Sequence, residues 1–204
     1  MIAIVDYGMG NIRAFANVYK NLNFPYKVAS LPDDLRGATR IILPGVGAFD
    51  HAMEQLHKSG MLETLEELVL RRRVPILGIC IGMQILAHSS QEGNLPGLGW
   101  IDGVVKRIGV ASLPPQIQLP HMGWNDINVK CSSPLLKDVQ EGSRFYFLHS
   151  YYFSCRHDEN IVALTEYGVQ FPCVVNCGNI YGVQFHPEKS HRNGIQILNN
   201  FWDL

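Results

Sequence analysis

An α/β domain with a mainly parallel central sheet, flanked by helices and extended by antiparallel strands, is what this sequence predicts. Two observations carry that prediction. In the first half, short apolar runs alternate with segments of helical spacing, the signature of a doubly wound sheet. In the second half, strand-like runs follow one another with few helices between them, which suits antiparallel additions to the same core.

Ile2–Asp6 opens as a short strand broken by Gly8 and Gly10, and Asn11–Asn21 follows as a helix with Asn11 placed as its N-cap. Tyr26–Ala29 and Arg40–Leu43 are the next strands, the second stopped by Pro44-Gly45-Val46-Gly47. Helical patches are expected over Asp50–Ser59 and Leu62–Arg72, then a buried strand Val74–Ile79 and a helix Ile81–Ser89. Strands are expected near Gly103–Ile108, Trp124–Val129, Phe145–Leu148, Ile161–Thr165, Cys173–Asn176 and Ile180–Phe185, and a helix Asn193–Phe201 comes last.

With 204 residues, the chain is long enough for one sizeable core, and residues 1–204 are expected to form one domain. A formal charge of -1 removes the electrostatic case for nucleic acid. No apolar run approaches the ~20 residues a spanning helix needs, and the opening MIAIVDYG lacks the basic start of a signal peptide. The five cysteines, 80, 131, 155, 173 and 177, form no CxxC pairs. That speaks against a disulfide framework or a zinc site, and a reducing cytoplasm suits it. No metal and no cofactor are expected.

The most informative local pattern is Gly78-Ile79-Cys80-Ile81-Gly82, between a strand and a helix. It has the spacing of the G-x-S-x-G nucleophile elbow with Cys in place of Ser. A nucleophile on so sharp a turn leaves no room for side chains two positions away on either side. The following helix offers free N–H groups, which favour a thiolate and let Ile81 N–H donate to an oxyanion. A buried structural cysteine between two packing glycines would read the same.

A thiol nucleophile needs an imidazole, and the imidazole needs an orienting group. His186 and Glu188, in Gln184-Phe185-His186-Pro187-Glu188, are two apart and share one side of an extended backbone, which Pro187 favours. An ordinary histidine and a solvated glutamate would also account for them. Pro44-Gly45-Val46-Gly47 lies where a loop at the carboxyl edge of a parallel sheet would, and its glycines let N–H groups turn toward a ligand. A plain strand-to-helix turn is the alternative. It is not a nucleotide loop, since no GxGxxG or GKS/T follows. In the aromatic segments around His121–Asn125 and Phe145–Tyr151, Phe145 and Phe147 read as sheet core. His121, Trp124 and Tyr146 read equally as partner-facing.

Taken in order, DYGMGN, PGVGAF, GICIGMQ, PHMGWN, YFLHSYY and GVQFHPEKS make the whole chain resemble the class I (triad) glutamine amidotransferases. DYGMGN, PHMGWN and HPEKS narrow the resemblance to the glutaminase subunits of imidazole glycerol phosphate synthase. It implies a glutamine amidotransferase fold and the roles that follow. Cys80 attacks the glutamine carboxamide to give a thioester and ammonia, His186 moves the proton, and Glu188 orients His186. Val46 and Ile81 N–H groups hold the oxyanion, either as the loop stands or after the Gly45–Val46 peptide reorients. Gly45, Gly47, Gln84, His149, Ser150 and Tyr151 bind glutamine. Asn11, His121, Trp124, Tyr146 and Lys189 lie near a partner and the ammonia exit. The implied partner is a (β/α)8-barrel synthase subunit in a heterodimer, which gates the glutaminase and uses its ammonia in histidine biosynthesis.

Three alternatives stay open. His191-Arg192-Asn193-Gly194, after HPEKS, resembles second copies of the subunit that feed a sugar-modifying synthase in surface-polysaccharide synthesis. A binding or regulatory module without activity belongs to another class, and the intact Cys80, His186 and Glu188 speak against it. A cysteine peptidase would act without a partner and ignore free glutamine.

Overall fold

The computed structural model describes residues 1–109 and 118–204. In chain order the elements are β1 (Ile2–Val5), α1 (Ile12–Asn21), β2 (Tyr26–Ala29), β3 (Arg40–Gly45), α2 (Phe49–Lys58), α3 (Leu62–Glu66), β4 (Ile76–Cys80), α4 (Ile81–Gln84) and β5 (Ser89–Ser90). There follow β6 (Gly103–Arg107), β7 (His121–Asp126), β8 (Asn128–Val129), β9 (Arg144–His149), β10 (Tyr151–Cys155), β11 (Ile161–Tyr167), β12 (Val169–Cys177), β13 (Ile180–Val183) and α5 (His191–Asp203).

Eight strands form the central sheet in the order β2-β1-β3-β4-β13-β12-β11-β8. From β2 to β13 the neighbours are parallel, and from β13 to β8 they are antiparallel. This is the mixed sheet that the two halves of the sequence predict. Strands β1, β4 and β13 are buried along their whole length, as their unbroken apolar runs require when both faces of a parallel sheet are covered. The covering helices show one apolar stripe each. In α2 Phe49, Ala52, Met53 and Leu56 are buried, and in α5 Gly194, Ile197, Leu198 and Phe201, both at the i, i+3, i+4, i+7 spacing.

Two small sheets stand beside the main one: β10-β6-β5, and the hairpin-like pair β7-β9. In the second, His121 faces His149 and Trp124 faces Tyr146 across the strands. No helix among the described residues is long and apolar enough to cross a membrane.

Three expectations need correction. The helix expected over Ile81–Ser89 stops at Gln84. Leu86 and Ala87 tighten onto the carbonyls of Met83 and Gln84, and His88 N–H then leaves to bond Gly103 O at 3.0 Å, which starts β5. The helix expected over Leu62–Arg72 widens after Glu66 into a π turn, Glu67–Arg71, with Arg72 N–H on Glu67 O at 3.0 Å. Val69 O instead accepts from Asn179 Nδ2 at 2.9 Å. Asn11 stands at the N-cap of α1, but its side chain makes no capping bond. Strand β10 was not expected at all.

Candidate active site

The site lies at the carboxyl ends of β3, β4 and β13, where an open α/β sheet receives its ligands. Cys80 is the last residue of β4 and has φ 55 and ψ -110, a left-handed conformation for a side chain that prefers to avoid it. The flanking glycines explain how the turn is tolerated. A Cβ on Gly78 would stand 2.5 Å from Gly82 O, and one on Gly82 would collide with Leu43 O of the adjacent strand. Elbow, helix and β3 therefore pack backbone to backbone, which aims the Cys80 side chain outward over the sheet edge.

His186 follows β13, the strand beside β4. Its N–H bonds Tyr146 O at 2.8 Å, and its Nδ1 stands 2.9 Å from Glu188 Oε1. The two side chains are only 3% and 2% exposed, so the pair is shielded from water. Burial works against a charged imidazole. The Cys80 side chain, then the Glu188 carboxylate, outweigh it and push His186 up to about 10. Cys80 and His186, 106 positions apart in the sequence, line one cavity, and His186 bonds Glu188, so the fold brings together the three residues that the sequence singles out.

Gly45, the last residue of β3, is the sheet partner of Cys80, so the Val46 amide begins one residue beyond that pairing. A Cβ on Gly45 would stand 2.6 Å from Gly82 N. Tyr7 Oη donates to Pro44 O at 2.8 Å, and burial raises that phenol above its ordinary value. The Gly-rich loop is therefore anchored from below by DYGMGN. A cavity of about 270 Å³ opens over the thiol and is lined by Val46, Gly47, Cys80, Ile81, Gln84, Glu92, Pro120, Leu148, His149, Ser150, Tyr151, His186 and Lys189.

Inside that wall is an ordered set of neutral hydrogen bonds. Gln84 Nε2 donates to Tyr151 O at 3.0 Å and to Gln184 Oε1 at 3.1 Å. Gln84 Oε1 is buried without a partner. His149 Nδ1 donates to the same Tyr151 O at 2.8 Å. His149 Nε2 must then accept, and it does so from His121 Nδ1 at 3.0 Å. Asn125 Nδ2 closes the series on His121 Nε2 at 3.3 Å.

This corrects the expectation for His121. It is 2% exposed and stacked on Phe147 and Tyr167, so it is an interior residue and does not face a partner. Trp124, Tyr146 and Lys189 do reach the surface side: Trp124 stands edge-on to Tyr146 at 6.2 Å, and Lys189 Nζ lies 5.6 Å from the Tyr146 ring centroid. Asn11 is exposed, on the loop whose Gly10 abuts Pro44.

Four residues at or behind the site were missed in the sequence. Glu92 accepts from Phe49 N–H at 2.9 Å, and burial raises its carboxyl against that bond. Ser190 Oγ donates to His186 O at 2.6 Å and accepts from Tyr146 N–H at 2.9 Å. Tyr7 and Gln184 are the others. Polar residues inside apolar runs, as Gln184 is, were the available signal.

Comparison with known proteins agrees with this geometry. The family model for "Glutamine amidotransferase class-I" matches residues 3–204. The chain belongs to the class-I glutamine amidotransferases. Among curated relatives, this amidotransferase is 55% identical to the imidazole glycerol phosphate synthase subunit HisH of Bdellovibrio bacteriovorus, all of both chains being covered. It is 48% identical to the subunit of the same name from Leptospira borgpetersenii, again over all of both. A solved structure titled "Crystal structure of glutamine amidotransferase" superposes with a TM-score of 0.76 at 18% identity, covering 99% of this amidotransferase and 97% of that chain, which supports the fold. Among the described residues no cluster of three or more His, Cys, Asp or Glu side chains is placed to hold a metal ion.

In this amidotransferase the His191 segment begins α5, and His191 stacks on Trp124 with centroids 5.1 Å apart. Gly194 is required there, because a Cβ would collide with Pro187 O in the turn that carries His186.

Proposed function

We propose that this chain is the glutaminase subunit of an imidazole glycerol phosphate synthase in histidine biosynthesis. The observation that carries this is the buried His186–Glu188 pair, 2.9 Å apart beside a strained Cys80, under a cavity too small for a folded substrate. The two HisH relatives of equal length support the subunit assignment.

Cys80 Sγ attacks the carboxamide carbon of glutamine as the thiolate, its proton being held by His186. The oxyanion of the tetrahedral intermediate accepts from Ile81 N–H and from Val46 N–H of the Gly-rich loop. Collapse breaks the C–N bond, and His186 returns the proton to the departing ammonia. Glu188 keeps the imidazole oriented and its charge balanced. Water then adds to the thioester with His186 as base, which frees glutamate and restores the thiol. Gly45 and Gly47 let the loop backbone approach the substrate. The unpartnered Gln84 Oε1 accepts from glutamine, and His149, Ser150 and Tyr151 shape the wall that holds it.

The whole chain acts as one amidotransferase domain. Its partner is a (β/α)8-barrel synthase subunit, which seats against the Asn11, Trp124, Tyr146 and Lys189 face and receives the ammonia. Burial of His121 supports a role behind His149 rather than at that contact.

The test is ammonia release from glutamine by the purified chain, with and without the barrel subunit from the same genome. Partner-dependent release that is lost in Cys80→Ala is expected. Release that persists in Cys80→Ala, or none with any barrel subunit, overturns the proposal.

A further inference from the structure

Gln184 has no part in the triad, yet it is completely buried and its amide touches the nucleophile. Burying an amide is costly unless its hydrogen bonds are made. The bonds it makes are directional. Tyr151 O can only accept, so the Gln84 end that meets it, at 3.0 Å, is the NH2 group. The second hydrogen of that NH2 points at Gln184, 3.1 Å away, so the Gln184 atom facing it is the carbonyl oxygen. The Gln184 NH2 is therefore turned to Cys80 Sγ at 3.8 Å. The sulfur has a second contact: Leu148 O, also at 3.8 Å, which accepts from the protonated thiol. The protonated sulfur thus has an acceptor, and the ionised sulfur has a donor.

We propose that Gln184 is a positioning residue for the nucleophile, donating its Nε2–H to the Cys80 sulfur and so favouring the thiolate. This rests on the thiol glutaminase reading of the site. Its orientation is inherited from a backbone carbonyl of the cavity wall through Gln84, so the donor is already aimed before substrate arrives. Hydrogen bonding to the charged form of a group favours that form, and burial makes the bond count for more. The other titratable and charged groups near the sulfur are Tyr7 from the loop after β1, Glu92 after β5, His149 at the end of β9, and His186, Glu188 and Lys189 after β13. None of them replaces a neutral N–H donor on the Gln184 side.

The experiment reads the thiolate directly and needs no glutamine turnover. Full-length chain is alkylated with iodoacetamide across a pH series, and the Cys80 peptide is followed by mass spectrometry. This separates it from the exposed Cys131 and Cys177. Gln184→Met keeps the volume and removes the donor. Its alkylation midpoint is expected to rise by about one pH unit, with an unchanged rate at the alkaline plateau. Gln184→Glu is expected to rise further, because a carboxylate opposes the thiolate. Should Gln184→Met fail to fold, Gln84→Met frees the Gln184 amide to rotate, and a smaller rise is expected. An unmoved midpoint in whichever of these variants folds overturns the proposal. If parent chain alkylates with the expected profile yet releases no ammonia, the glutaminase reading fails and the role of Gln184 stands.

Discussion

His121 and His149 share a hydrogen bond of 3.0 Å between Nδ1 and Nε2, and both rings are held neutral. Their tautomers are set from the ends: Tyr151 O takes the outer proton of His149, and Asn125 donates to the outer nitrogen of His121. A proton on either ring would place two donors face to face.

Acid stability should report this pair. Burial lowers His121 from 6.5 to about 4 and, together with His121 itself, lowers His149 to about 3. The unfolded chain protonates both near the ordinary value, so below it the unfolded state holds more protons and stability falls as pH falls. Each ring contributes up to about 1.4 kcal/mol per pH unit between about 6.5 and 4. His121→Gln should roughly halve that slope in urea unfolding measured across the window. A slope equal to the parent's would mean that His121 contributes nothing to it.

His186 behaves in the opposite sense. Its folded value is raised to about 10, so its stabilisation is complete below 6.5 and is lost as pH rises through the folded value. The Cys80 side chain is the largest of the raising causes. Cys80→Ala should therefore move the His186 titration down, as followed by NMR of the imidazole carbons. No change would mean that Glu188 alone sustains the charge.

Ser190 ties the catalytic turn to β9 through His186 O at 2.6 Å and Tyr146 N–H at 2.9 Å. Ser190→Ala should lower kcat for glutamine about ten- to a hundredfold, since small misplacements of a catalytic group are costly. KM should stay near the parent's, because Ser190 lines none of the cavity. A rise in KM at constant kcat would contradict this.

Gly82→Ala should be among the most damaging single changes. The added methyl collides with the Leu43 carbonyl, and backbone cannot swing aside as a side chain can. A loss of about 3 kcal/mol or more in urea unfolding is expected. A loss below about 1 kcal/mol would show that the elbow repacks.

Much of this was legible in the sequence because it depends on local rules. The unbroken apolar runs of β1, β4 and β13 point to a parallel core, and Gly78-x-Cys80-x-Gly82 marks the elbow through backbone crowding at Gly82 O and Leu43 O. What was hidden depends on distant partners. Helix α4 ends early because Gly103, far along the chain, captures the His88 N–H. Strand β10, Tyr151–Cys155, has no clear alternation, its burial running half-buried, half-buried, buried, half-buried, half-buried. His121 sits in a motif that reads equally as sheet core or as partner-facing, and its pairing opposite His149 takes it inside. Gln184 lies two residues before His186 in an apolar run, a placement that fits many buried amides. Only the opposite strand reveals the sulfur.

The place of β13 between β4 and β12 has a bearing on biosynthesis. Of all the strands β13 is the last to leave the ribosome, although it is interior to the sheet and pairs with β4 on one side and β12 on the other. Without it the Ile76–Cys80 strand lacks its neighbour on that side, and an unpaired apolar edge is the kind of surface that draws other chains. The same late strand brings in His186. A chain made only as far as Cys177 therefore holds Cys80 without the histidine that stands at its site in the finished fold.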